Sequence, residues 1–204
     1  MSNYANPVLS TSFPPESRVL ADVIPGARVR DALLVLAGAG LTALGAQITF
    51  HIPGTPVPVT AQTLAVVLAG SALGTWRGAA SQLLYLLLGL ALPIYAGGAS
   101  GGSVLWGPFG GYIFGFVLAA GLVGWASEHG ADRRLALAAL MFALGQLAIY
   151  GIGVPWLKVS EGFSWGTAIH EGFTIFIVTG LIKAVVGGVC MPTAWRIERR
   201  LSQS

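Results

Sequence analysis

The sequence predicts an all-α integral membrane protein, a bundle of six transmembrane helices with both termini on the cytoplasmic side. Three observations carry this. First, 54% of the 204 residues are hydrophobic and only 9% are charged, where a soluble domain carries about 25% charged residues. So few charges cannot cover a surface in water, and lipid is the natural solvent. Second, apolar runs near the roughly 20 residues needed to cross a bilayer recur along the chain, without the alternating pattern of a barrel. Third, the basic residues gather on every second connection.

The first 30 residues lack both a sustained apolar centre and a small-residue cleavage site, so they read as a cytoplasmic arm rather than a signal peptide. The membrane domain follows over residues 31–195, and 196–204 form a short basic cytoplasmic tail. The six expected spans are 31–50, 61–75, 78–96, 108–126, 135–157 and about 168–195. The second is short and needs tilt or help from its loop. Glycine is abundant, 29 residues, and small residues recur four apart: Ala39 and Ala43, then Gly70, Gly74 and Gly78, then Gly111 and Gly115. Such spacing lets helix backbones approach closely.

With a cytoplasmic N-terminus, the inner segments hold Arg18, Arg28, Arg30, Arg77, Arg133, Arg134, Arg196, Arg199 and Arg200, whereas the outer connections hold only Lys158. This is a positive-inside distribution, and a miscounted span would scramble it. The outer connections are 51–60 (HIPGTPVPVT), 97–107 (GGASGGSVLWG) and 158–167 (KVSEGFSWGT). The first two are apolar and rich in Gly and Pro, with no acid and no strong base. Irregular backbone at membrane depth is tolerated only where protein or a cavity covers it, so these loops are expected to fold back and roof a pocket.

Much chemistry is excluded. Lys158 and Lys183 each follow an aliphatic residue, so no Gly-Lys-Ser/Thr phosphate loop exists. His51, His129 and His170 lack metal-ligand spacing, and the single Cys190 excludes an internal disulfide. A net charge of +3 does not point to nucleic acid. No catalytic constellation converges, so the chain reads as a binding or transport protein, not an enzyme, with neither cofactor nor metal.

Lys183 is the sharpest feature. It lies twelve residues before the interfacial pair Trp195–Arg196, roughly 18 Å along a helix. An intramembrane lysine marks function by default: a bond to substrate, an ion pair with an anionic one, or a proton relay. The structural alternative is capping by carbonyls or amides such as Gln146. Gln62 directly follows the first outer loop and faces either the same cavity or a neighbouring helix. Tyr85, Tyr95, Trp106 and Tyr112 are placed to line a pocket for a small ring compound or to form an interfacial belt.

Three segments, PVPVTAQTL (56–64), SQLLYLLLGLALPIYAGG (81–98) and GPFGGYIFGF (107–116), resemble the BioY family, the biotin-binding S components of energy-coupling factor vitamin transporters. The resemblance covers roughly residues 35 to 190. It implies a six-helix S component that captures biotin from outside, in a pocket roofed by the first and third outer connections. The implied partners are a membrane coupling protein and two cytoplasmic ATPases, which fits the missing phosphate loop. It makes Lys183, Tyr112 and Gln62 the transferable ligand contacts, with Tyr85, Trp106 and Ser100 as further candidates, and gives Ala39 and Ala43 of the first helix to the coupling protein. The chain departs from the family pattern in three places. Gly180 stands where an aspartate is expected three residues before the lysine. Ala99 and Ser100 stand where some members have asparagine, and Ile113 stands where arginine can follow the GGY triplet. Two rival expectations are an S component for another small vitamin and a stand-alone carrier driven through Lys183.

Overall fold

Leu and Ala interleaved with Gly over residues 28–47 form a helix, α1 (Arg28–Gln47). Its outward side chains, among them Leu33, Leu36 and Leu44, are exposed as lipid-facing residues should be. The computed structural model describes residues 19–23 and 28–201. After α1 the chain makes a short antiparallel pair, β1 (Thr49–Phe50) and β2 (Val59–Thr60), with Thr49 opposite Thr60 and Phe50 opposite Val59. The helices that follow are α2 (Gln62–Leu73), α3 (Thr75–Gly89), the single-turn α4 (Gly102–Trp106), α5 (Gly110–Glu128), α6 (Leu135–Glu161), the short α7 (Trp165–Gly172) and α8 (Ile177–Leu201).

Among the described residues, four stretches are long and apolar enough to cross a membrane: Arg28–Gln47, Gly110–Glu128, Leu135–Glu161 and Trp165–Leu201. The twelve residues of α2 rise only about 18 Å, less than the roughly 30 Å hydrocarbon core. Helix α5 is central, packing on α2, α3 and α6. Close approach there depends on missing side chains: a Cβ on Gly78 would stand 2.9 Å from the Cα of Gly70 and 3.3 Å from the Ala120 carbonyl oxygen.

Two helix boundaries differ from expectation for identifiable reasons. The third segment stops being helical at Gly89 rather than 96. Pro93 lacks the N–H that a continuing helix needs, and the chain turns back so that the Tyr95 hydroxyl donates to the Leu86 carbonyl at 2.6 Å. The sixth segment is split. Phe173 leaves helical geometry (φ −135°, ψ −56°), and the freed Gly172 carbonyl accepts from the Tyr112 hydroxyl at 3.0 Å. The first outer connection contains β2 as well as turn, and the glycine-rich second contains α4. Gly97, Gly98 and Gly101 in that connection have φ of 67°, 77° and 93°, a region side chains rarely adopt.

The arginine-rich end of the bundle is tied by polar contacts. Asp22 meets Arg77 at 2.6 Å. Glu128 accepts from the Thr75 amide and hydroxyl, both at 2.8 Å. Trp195 donates to the buried Asp132 at 2.6 Å. The expected arm, residues 1–30, lies mostly outside the described residues. Within the described part, Val19 and Ala21 are buried beside Ala69 and Leu73. The expected tail begins inside α8, which runs on to Leu201.

Candidate ligand site

The hairpin, the start of α2, the start of α5, the middle of α6 and α8 converge on one small space. It is lined by Val57, Thr60, Gln62 and Thr63 from the hairpin and α2, and by Phe109, Tyr112, Ile113 and Phe116 from the turn and α5. Tyr95 and Val104 close the side of the glycine-rich connection, and Tyr150, Phe176 and Lys183 close the rest. The walls are aromatic and aliphatic with a few polar groups, the usual make-up of a small-molecule site. The space is about 50 Å³, room for a few waters and far below the roughly 300–1,000 Å³ of an occupied ligand pocket. A ligand therefore requires the walls to part.

Lys183 reaches across from α8. Its Nζ donates to the Thr60 carbonyl at 2.7 Å and to the Thr63 hydroxyl at 2.9 Å. A lysine has three N–H donors, so one remains for a ligand. The cap is thus a strand-end carbonyl and a hydroxyl; Gln146 instead donates to the Gly180 carbonyl at 2.8 Å. On the far wall, Gln62 accepts from Thr60 Oγ1 at 3.0 Å and donates through Nε2 to Tyr85 Oη at 2.6 Å. Tyr85 in turn donates weakly to the Ile94 carbonyl at 3.3 Å. These contacts fix the amide orientation of Gln62 and hold the wall rigid.

The first outer connection is tied to its neighbours. Thr55 Oγ1 donates to the Glu171 carbonyl at 2.7 Å and receives the Val57 N–H at 3.1 Å. With Tyr112 on the Gly172 carbonyl, this joins the first outer connection and α5 to the end of α7.

Lys183, Gln62 and Tyr112 therefore stand together on the cavity wall. The other residues singled out in the sequence stand elsewhere. Tyr85 is fully buried behind Gln62, with its ring edge-on to Tyr95 at 5.6 Å. Trp106 is 75% exposed and stacks on Trp156 at 5.8 Å, because Val104 and Leu105 take the inward side of α4. Ser100 is exposed on the turn between Gly98 and Gly101. Ala39 is 2% exposed and packs inside the bundle, and Ala43 lies half-buried against the same core. The outward face of α1 near them carries Ala37 and Gly40 instead. Sequence reasoning missed Thr63, Tyr150 and the Thr60 carbonyl. Tyr150 was detectable, one helical turn after Gln146 and so on the same face of α6.

A bundle of apolar helices around a small, aromatic-walled cavity is the architecture of a small-molecule binding or transport component. Residues 16–200 match the BioY family. The chain belongs to that family and is a multi-pass protein of the cell membrane. It is 38% identical over 152 residues to "Biotin transporter BioY2" of Lactococcus lactis, covering 72% of this chain and 83% of that protein. It is 39% identical over 158 residues to "Probable biotin transporter BioY" of Pyrococcus horikoshii, covering 77% and 91%. Its fold matches the crystal structure of the S-component for biotin from an ECF-type ABC transporter with a TM-score of 0.74 at 23% identity, over 86% of this chain and 92% of that one.

Proposed function

We propose that this chain is the biotin-capturing subunit of an energy-coupling factor transporter. It takes biotin from outside and relies on a membrane coupling protein and cytoplasmic ATPases for transport. The observation that carries this reading is the cavity of a BioY-family bundle in which Lys183, Gln62 and Tyr112 converge among aromatic walls. Biotin has fused rings that suit such walls, and ureido and carboxylate groups that need a few fixed polar partners. Lys183 supplies a donor deep in the bundle, and Gln62 and Tyr112 stand on the facing walls.

The six spans are α1, α2, α3, α5, α6 and α8, with α4 and α7 as accessory turns of the outer connections. The arginines at the α2–α3 and α5–α6 turns and at the ends of α1 and α8 support a cytoplasmic location for both termini. The cavity then lies toward the outer side. The first outer connection forms its roof together with the end of α7 that follows the third, held by Thr55 on the Glu171 carbonyl; no residue of 158–167 lines the cavity, and the second connection contributes Val104. Ser100 and Trp106 sit on the second connection, where they act on the ligand only if that connection moves. Assembly with the coupling protein uses the outward face of α1 beside Ala39 and Ala43.

Equilibrium binding of labelled biotin to the purified protein, with other vitamins as competitors, tests the reading. Tight, biotin-selective binding supports it. Preference for another vitamin would reassign the substrate, and uptake into vesicles without ATPase subunits would favour a stand-alone carrier.

A further inference from the structure

The acceptors around Lys183 are already engaged in one hydrogen bond each. Lys183 only donates, Gln62 Oε1 already accepts from Thr60, and the Thr60 carbonyl and Thr63 hydroxyl already receive Lys183. A cyclic urea carries two N–H groups, each of which needs an acceptor once it leaves water.

One buried acceptor nearby has no partner. Gln146 is 3% exposed, its Nε2 is used on the Gly180 carbonyl, and its Oε1 makes no hydrogen bond. It lines a second cavity, an open groove of about 160 Å³ between α6 and α8 bordered by the exposed Leu147, Ile177 and Leu181. Tyr150 and Phe176 line both this cavity and the one that holds Lys183, so they form the partition between the two. Gly180 lies against Gln146: a Cβ there would stand 3.3 Å from Gln146 Oε1 and 3.7 Å from Tyr150 Oη. A side chain at 180 would crowd and cover Gln146 Oε1, and glycine leaves that oxygen uncovered on this side. Lys183 follows Gly180 by one helical turn, and Tyr150 follows Gln146 by one, so the four residues make one patch across two helices. Lipid tails offer no donor to the orphan oxygen.

We propose that Gln146 Oε1 is the acceptor for a ureido N–H of the ligand. The lack of a side chain at Gly180 opens the way to it once the Tyr150–Phe176 partition parts. Gln146 is then a specificity-determining residue of this chain, and the compartment beside Gly180 is part of the ligand site. This rests on the biotin reading above.

The test compares wild type, Gln146→Met and Gln146→Glu, each first shown to be monodisperse and to unfold cooperatively. Three ligands are used: biotin, and the two analogues methylated on one or the other ureido nitrogen. Loss of one buried hydrogen bond at this site is expected to weaken biotin binding about tenfold in Gln146→Met, with Gln146→Glu recovering much of it. For the analogue methylated at the nitrogen that faces Gln146, wild type and Gln146→Met should bind equally. Equal losses for biotin and both analogues would assign Gln146 to packing and overturn the proposal, as would an unchanged biotin affinity. If wild type fails to bind biotin, the biotin reading itself falls and the proposal falls with it. That result is distinct from a variant-only failure.

Discussion

Lys183 owes its importance to its neighbours as much as to its depth. A main-chain carbonyl and a threonine hydroxyl hold its Nζ at 2.7 and 2.9 Å, which aims the remaining N–H without an acidic partner. Lys183→Met should leave the bundle folded and lower biotin affinity at least tenfold, the scale of one lost polar contact in a dry site. Equilibrium binding together with a detergent melting curve checks this, and unchanged affinity would remove Lys183 from the ligand contacts. The sequence exposed this lysine because a cation in an apolar run is an anomaly. Gln62 and Tyr112 were legible from their place beside the outer connections. The Thr60 carbonyl was not, since any residue supplies a carbonyl and only the strand pairing aims this one. Trp106 was misplaced because a five-residue helix has too little periodicity to show which side turns inward.

At the scale of single elements, the arginine-rich end depends on a few charges that stand in for helix caps. Glu128 accepts both from the first amide of α3 and from the Thr75 hydroxyl, beside a helix N-terminus where negative charge is favoured. Glu128→Ala should cost about 1–3 kcal/mol, read as a fall in melting temperature. Glu128→Gln should cost less. Asp132 behaves oppositely. Burial pushes its carboxyl above the usual carboxylate range, although Trp195 and Arg133 pull it back. A raised folded-state value means that the contribution to stability is present below the unfolded value and is lost as pH rises through the folded one. Asp132→Asn keeps an acceptor for Trp195 and removes the titration. Its melting temperature should stay level where that of wild type falls, from the carboxylate range upward. A wild-type profile that is flat over this range would contradict the assignment. Four long helical segments were readable from apolar length alone, whereas α2 and α3 are shorter than a span. The helix ends were not readable, because Pro93 and the Tyr112–Gly172 bond act through tertiary contacts.

For the whole molecule, the two ends differ in how they are held. The arginine-rich end is tied by ion pairs and charge-assisted bonds, and the opposite end by neutral contacts such as Thr55 on Glu171. With only about 50 Å³ inside, the proposed entry from outside requires the Thr55–Glu171 tie to open. Thiols placed at positions 55 and 171, in a chain with Cys190→Ala, and joined by a short bis-maleimide should exclude biotin when linked before it is added and trap it when linked afterwards. Identical uptake in both orders would place the entrance elsewhere. The α1 face gives a second test. An added side chain at Gly40 meets nothing within 4 Å, whereas Ala39 is buried. Gly40→Trp should therefore reduce assembly with the coupling protein and spare biotin binding, while Ala39→Trp should damage both. Co-purification and ligand binding on the same preparations separate the two outcomes.

The residues that tie the bundle together at its arginine-rich end are not the residues that line the cavity. Arg77, Glu128, Asp132 and Trp195 secure the frame, while Thr63, Gln146, Tyr150 and Gly180 shape the interior. Selectivity is thereby free to drift. A lineage can re-line the chamber for a different cargo, one substitution at a time, and still deliver an intact subunit to the membrane. Saturation of those four interior positions should yield mostly inserted, folded chains with altered ligand preference, and the same diversity at the frame should yield mostly degraded ones.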